Sequence, residues 1–472
     1  MISEDKQNIK GKIPSKEPID VDIFTKKTYE KGLIPDKELC EEKKNNYLYS
    51  NTEFHPFSFL TGHRKWGYDY YRKYLTSPSP TLLTKEEWII KPDLTKNGIL
   101  GEFLIDDSRG LVLIDPFITK KFSGLLRDLL TALLTIAMGK RVSLKVKLFE
   151  PKSVLQRVTD YWSLLPKLVN PTYSPTMTPL ERMKHIMAFA VGGLYIPTKQ
   201  LKPFNPLIDE TFEGVFQNDE YNTKIYAEQI SNYPTVSRFY GINSELRLHG
   251  FVDLSVKTEG FGTRCTFNTK GHVNLEYLKL GEKISYIFPT VKMLKLTSEE
   301  GRSSYWQNCL VIVDVKNNLK GVVRLGRNPR IIHEVEGYII EFPFPEGYKL
   351  DYNTEQDFGN NYKISDETYK VLSTCAGSWL EKLSFDGKKY WDINTMVPNW
   401  IRPVDYPIPS DCRYREDIIW LHRAFYLYKN EEERLMYEGL AQNWKLMVEK
   451  LQREEREMKA RKKQKKRFWG WI

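Results

Sequence analysis

Residues 246–257 read LRLHGFVDLSVK. Leu246, Leu248, Val252, Leu254 and Val256 alternate with Arg247, His249, Asp253, Ser255 and Lys257. In an extended chain successive side chains point to opposite faces, so this period of two makes one apolar and one polar face. The stretch is expected to be a strand covered on one side. Outward from it the pattern recurs: Val273, Leu275 and Tyr277 alternate with His272, Asn274 and Glu276. Residues 309–315 and 321–325 flank the turn-forming Lys316-Asn317-Asn318 and are expected to pair as a hairpin. One-faced strands joined by short turns make an antiparallel sheet. A large sheet of this kind curls or closes into a barrel, which can enclose an apolar ligand.

Helical periods lie on both sides of this region. In 122–138, Leu125, Leu126, Leu129, Leu130, Leu133, Leu134 and Ala137 recur with the 3.6-residue period of an amphipathic helix. A second pattern covers 152–165, and Pro166 is expected to end it. A third covers 179–191, with Thr178 as N-cap, Pro179 at the first helical position and Glu181 at capping-box spacing. The chain from about 412 to 472 is again helical and charged, and ends in a basic run, 459–467, followed by Phe468, Trp469 and Trp471. Residues 1–50 are rich in Lys and Glu without an apolar period, and are expected to be disordered or loosely attached. Residues 54–74 interleave aromatics and bases, as a small packed element or an interaction surface would.

Composition narrows the function. A formal net charge of +10 draws the chain to anionic membrane, nucleic acid or acidic partners without choosing among them. No stretch reaches the roughly 20 apolar residues of a spanning helix, and the most apolar, 129–138, falls short. The N-terminus lacks the apolar region of a secretory signal, and the five cysteines are scattered, so a cytosolic chain without disulfides or a metal site is expected. P-loop, G-x-S-x-G, H-E-x-x-H and Rossmann patterns are absent, and the seven histidines are dispersed. The expectation is a protein that is not an enzyme, with no catalytic residues, no metal and no cofactor.

Two stretches carry a more specific signal. Residues 202–213 read KPFNPLIDETFE, and two prolines bracketing Phe-Asn suit an ordered loop leading into the sheet. Residues 228–235 read EQISNYPT. The first resembles the Lys-Pro-x-Asn-Pro-x-x-Gly-Glu-x-x-Glu stretch of the oxysterol-binding-protein-related family, with Asp209 where that family carries Gly. The second is similar to its Glu-Gln-x-Ser-His-His-Pro-Pro signature, with Asn232 and Tyr233 in place of the histidine pair and Thr235 in place of the second proline. The segment 149–157 (FEPKSVLQR), the helix TPLERMKHIMAFA at 178–190, and Cys375-Ala376-Gly377-Ser378-Trp379 also resemble family segments, in the same order. Lys445, Glu449 and Arg453 match a family Lys-x-x-x-Glu-x-x-x-Arg triplet. The resemblance covers roughly 120–470.

The resemblance implies a mainly β fold with flanking helices (α+β): a large incomplete antiparallel β-barrel enclosing an apolar tunnel, an amphipathic lid and a C-terminal helical region. It implies an N-terminal extension over 1–119 and a lipid-binding domain over 120–472, with the lid at about 122–147, the barrel at about 200–400 and the C-terminal helices and tail at about 412–472. A single sterol or phospholipid would sit in the tunnel, to be transferred or sensed between membranes, with phosphatidylinositol 4-phosphate exchange in question. Leu125, Leu126, Leu129 and Leu133 would close the mouth, unless 122–138 is a plain core helix. Trp162 would line the tunnel or belong to ordinary core. Lys202, Asn205, Asn232, Tyr233, Lys445, Glu449 and Arg453 would hold a headgroup. Spaced at i, i+4 and i+8, the last three share one helix face, where the bland alternative is a solvated salt-bridge ladder. Asn232 and Tyr233 carry no positive charge to meet a phosphomonoester, so phosphoinositide binding is expected to be weakened, altered or lost while the tunnel persists. The remaining expectations are a cytoplasmic monomer, peripheral on anionic membrane through its basic tail, with no nucleic-acid partner. The alternative is a scaffold or regulatory protein that keeps the fold and has lost transfer.

Overall fold

The computed structural model describes residues 103–122, 143–196, 201–232, 234–260, 263–296, 298, 301–396, 398–404 and 411–469. All of these lie in one compact unit. The expected disorder of 1–50, the aromatic stretch 54–74, the lid leucines and Tyr233 fall outside the described residues.

Sixteen of the described strands form one antiparallel sheet. It is largely a meander: Thr211–Phe216, Thr223–Asn232, Thr235–Ile242, Leu246–Glu259, Arg264–Tyr277 and Glu282–Ile287 pair in succession, each with its neighbour in this series. Beyond Phe288 and Pro289 the line continues as Thr290–Leu294, which pairs with both Arg264–Tyr277 and Ser303–Asp314. The sheet goes on through Leu319–Leu325, Glu334–Glu341, Val371–Ser378, Lys382–Phe385 and Lys388–Asp392. At the opposite edge Arg402–Pro403 pairs with Thr211–Phe216. The alternating stretch at 246–257 is a strand as expected, and Asn318 takes the left-handed φ of 53° in the expected hairpin turn.

The apolar faces of these strands close around helices. The helix Pro179–Gly192 buries Met183, Ile186, Met187, Phe189 and Val191 inside the sheet. It comes so near that a Cβ on Gly321 would meet Met187 Sδ at 2.6 Å. Thr178 caps this helix through its hydroxyl, which accepts from Glu181 N at 3.2 Å. The Glu181 carboxylate is engaged by Tyr390 and Lys388. On the outer face the helix Tyr352–Asn361 covers a second apolar cluster that includes Ile287, Val311, Val313, Val322 and Tyr338.

One expectation is corrected by the helix bounds. Pro166 does not end a helix: the helix after the strand Phe149–Ser153 stops at Thr159, and Pro166 lies in the first turn of the next, Leu165–Leu168. Its missing N–H costs nothing there, because first-turn N–H groups have no helical partner. The sheet also takes in two short strands before residue 120. Phe103–Asp106 and Gly110–Leu113 form a hairpin, and Val112 and Leu111 pair with Ser303 and Ser304. A Cβ on Gly110 would meet Ser304 O at 2.6 Å, and φ there is 78°, so glycine permits this approach.

Candidate functional site

The site is built where two distant pieces of chain lie parallel. Lys202–Phe204 pairs with Phe149–Ser153, setting Lys202 opposite Phe149 and Phe204 opposite Ser153. The Phe149 and Phe204 rings meet at 4.9 Å between centroids. After Phe204 the chain turns back on itself. The Glu210 carboxylate accepts from Leu207 N at 3.0 Å, and Asp209 takes a φ of 64°. The left-handed region is open to Gly and less costly for Asp than for most L-residues, which explains the Gly of the family motif and the tolerance of Asp here. Asp209→Gly is accordingly expected to leave stability within about 1 kcal/mol of the starting protein. Asp209→Val is expected to lose about 1–2 kcal/mol. Denaturant titration of the pair checks this, and equal stability of the two variants would refute it.

Arg415 locks this loop. Its guanidinium, 3% exposed, donates to both Asp417 carboxylate oxygens at 3.1 and 2.8 Å, to Glu210 Oε2 at 3.0 Å and to Asn205 O at 2.7 Å. The final helix, Glu431–Trp469, then docks on the loop through an apolar contact of Leu207 with Val448 and Leu451, flanked by Trp444 and Met447.

That docking carries Lys445 to Lys202. Lys445 Nζ lies 5.0 Å from the Phe149 ring centroid and Lys202 Nζ 4.9 Å from the same centroid. Lys445 donates to Glu449 Oε1 at 2.5 Å and to Ser143 Oγ at 2.7 Å. Lys202 donates to Asn205 Oδ1 at 2.7 Å and to Pro203 O at 3.1 Å. Burial, and next the like charge of Lys445, lowers the Lys202 ammonium to about 7. Two converging cations with one carboxylate in contact make a place where an anion is favoured.

The structure thus brings together Lys202, Asn205, Lys445 and Glu449. Arg453 is half-buried, two turns further along the same helix. Asn232 ends the strand Thr223–Asn232, and its Oδ1 accepts from Gln229 Nε2 at 3.2 Å. Trp162 is fully enclosed, its ring 4.4 Å from that of Phe239. Sequence reasoning missed Phe149, Leu207 and Arg415. The family likeness of 149–157 was the one available signal for Phe149.

An apolar wall lies on the inner face of the sheet. Val256, Phe267, Val291 and Trp306 are successive cross-strand partners, so they project from one face. Trp306 donates from its indole to Leu194 O at 3.2 Å, which fixes that face as the inward one. Exposure along the row rises from 1% at Trp306, through half-buried Val291 and Phe267, to 52% at Val256. The row therefore runs from packed core to open apolar surface.

A sequence model of the oxysterol-binding protein family matches residues 133–470. Oxysterol-binding protein 9 of Dictyostelium discoideum is 28% identical over 348 residues, covering 71% of this chain and 77% of that protein. Oxysterol-binding protein-related protein 2 of Mus musculus is 26% identical over 351 residues, covering 62% and 70%. Among solved structures, the Osh1 ORD domain in complex with cholesterol superposes with a TM-score of 0.51 at 19% identity, covering 68% of this chain and 76% of that one, a likeness of fold.

Proposed function

Because the chain belongs to the oxysterol-binding protein family, we propose that it binds a single lipid within the sheet and carries or senses it between membranes. A phosphate-bearing headgroup would be held at the rim by Lys202 and Lys445. The convergence of these two ammonium groups on one ring carries the second statement. The apolar row from Trp306 to Val256 supports the first, and the sterol bound by the Osh1 ORD domain suggests the class of ligand. Hiding the several hundred Å² of a sterol's apolar surface from water is worth on the order of 10 kcal/mol, which is what a carrier must supply. Such a protein is a carrier rather than an enzyme. It would work in the cytoplasm and visit membranes peripherally. No helix among the described residues is long and apolar enough to cross a membrane. The basic run 459–467 would add attraction to an anionic surface of about 1 kcal/mol per base. The lipid-binding domain would take in the hairpin that starts at Phe103, with the extension preceding it.

Asn232 and Tyr233 offer hydrogen bonds without charge where the family signature has histidines. A phosphomonoester would therefore bind more weakly here than at a histidine pair. Titration with a fluorescent sterol and with vesicles containing phosphatidylinositol 4-phosphate tests both parts. One sterol per chain is expected, with weaker uptake of the phosphoinositide. The double variant Asn232→His, Tyr233→His is expected to raise phosphoinositide affinity about tenfold or more, since a hydrogen bond to a charged group contributes about 1.5–3 kcal/mol. An unchanged affinity would remove this account of the signature. Uptake of neither sterol nor phospholipid would remove the carrier and leave a scaffold.

A further inference from the structure

Phe149 is approached by both headgroup lysines, and nothing in the charge pattern alone requires an aromatic ring there. Its side chain is 4% exposed, its backbone is paired opposite Lys202, and its ring rests on Phe204. The Arg415 guanidinium carbon lies 5.6 Å from the Phe204 ring centroid. A pair of rings therefore carries one cation, Arg415, on Phe204 and two, Lys202 and Lys445, on Phe149. We propose that Phe149 is a positioning residue of the headgroup site, its ring serving as a shared cation–π platform that holds Lys202 and Lys445 where one phosphate can bridge them. The inference rests on the headgroup reading given above and names the residue that sets its geometry.

The physical reason is that two like charges placed together separate unless something holds them. Lys202 has Asn205 and Pro203 O for this, and Lys445 has Glu449 and Ser143. None of these hydrogen bonds is common to both ammonium groups, although the Glu449 carboxylate also attracts Lys202 at longer range. The Phe149 ring is, at 4.9 and 5.0 Å. The negative face of a ring attracts an ammonium most strongly where water is excluded, and it offers no carboxylate to compete with an incoming phosphate. A carboxylate in the same place would neutralise the site, and an aliphatic side chain would leave the lysines free to part.

Graded fluorination of the residue at 149 tests this, because fluorinated phenylalanines weaken the ring face with little change of shape. Phe149→Leu is the coarser variant, and sterol uptake reports that each protein is folded. Two readouts are taken: binding to vesicles containing phosphatidylinositol 4-phosphate, and the pH profile of Lys202 acylation followed by mass spectrometry in the protein without lipid. Headgroup affinity is expected to fall stepwise across the series, to about five- to tenfold below the starting protein for Phe149→Leu. The Lys202 acylation midpoint is expected to move to lower pH, since the ring favours the ammonium form. A flat acylation midpoint across the series would overturn the platform. If the unaltered protein does not bind the phosphoinositide, the headgroup reading fails, and the acylation series still decides whether the ring holds the lysine.

Discussion

Arg415→Met is expected to cost about 3–5 kcal/mol of stability, because it strips one buried cation from two buried carboxylates. Glu210 and Asp417 both lie within 3.1 Å of the guanidinium, and both carboxylates are 0% exposed. Removing one partner of such a group costs more than the group contributes as a whole, since the desolvation of the other charges is then uncompensated. The loop 202–210 and the final helix should loosen together, because Asn205 O loses its donor and Leu207 loses its fixed seat. The loss has a pH signature. Burial already raises the Glu210 carboxyl, with Arg415 acting against that rise. Without Arg415 the folded-state pKa should rise further above the unfolded value. Folding then favours the protonated form, so stability is gained at acidic pH and lost as pH rises through the folded pKa. The variant should therefore be closest to the unaltered protein near pH 5 and furthest from it near pH 8. Adding Glu210→Gln should recover part of the loss. Denaturant titrations at the two pH values measure this. A deficit under 1 kcal/mol at pH 8 would mean that the network does not hold the loop.

The second large effect concerns the lysines and leaves the fold alone. Lys445→Ala is expected to weaken phosphoinositide binding about a hundredfold, as loss of a buried charge-assisted contact does, with sterol uptake unchanged. Lys202 should make binding depend on pH. Its ammonium is held near 7, chiefly by burial and then by Lys445. An anion binds the protonated form, so affinity should fall as pH rises above about 7, by up to tenfold per unit. A phosphomonoester loses its second proton near pH 6, so affinity should also fall on the acid side. The profile is then a bell with its maximum at about pH 6–7. Lys202→Met should abolish the alkaline fall. The same substitution should raise the melting temperature, because it removes a like-charge contact that the folded protein bears for the sake of binding. Binding to phosphoinositide vesicles from pH 5 to 9 reads the profile. A flat curve from pH 6 to 8.5 would show that Lys202 does not titrate in the site.

The strands were legible because their chemistry is local. The alternation at 246–257 needs no knowledge of any other segment, and the same holds for the turn at Asn318 and the cap at Thr178. Lys202 and Lys445 were legible as candidates through the motifs that contain them. Phe149 was not, because its role depends on a parallel pairing with Lys202, more than fifty residues away. Arg415 lies in no motif, and its partners at 205, 210 and 417 converge only in the folded chain. The hairpin Phe103–Leu113 was missed because four-residue strands are too short to show a period. Trp162 shows the converse limit: a large aromatic in the right segment could line a tunnel or fill a core, and full burial beside Phe239 suits both.

Native mass spectrometry of the protein, after incubation with vesicles of phosphatidylcholine, cholesterol and phosphatidylinositol 4-phosphate, tests the lipid site most directly. The account predicts a one-to-one complex heavier than the protein by the mass of one vesicle lipid. It further predicts that any phosphoinositide adduct, and not a sterol adduct, disappears in Lys445→Ala. A spectrum with the bare protein mass alone, from vesicles whose lipids remain in place, would contradict it.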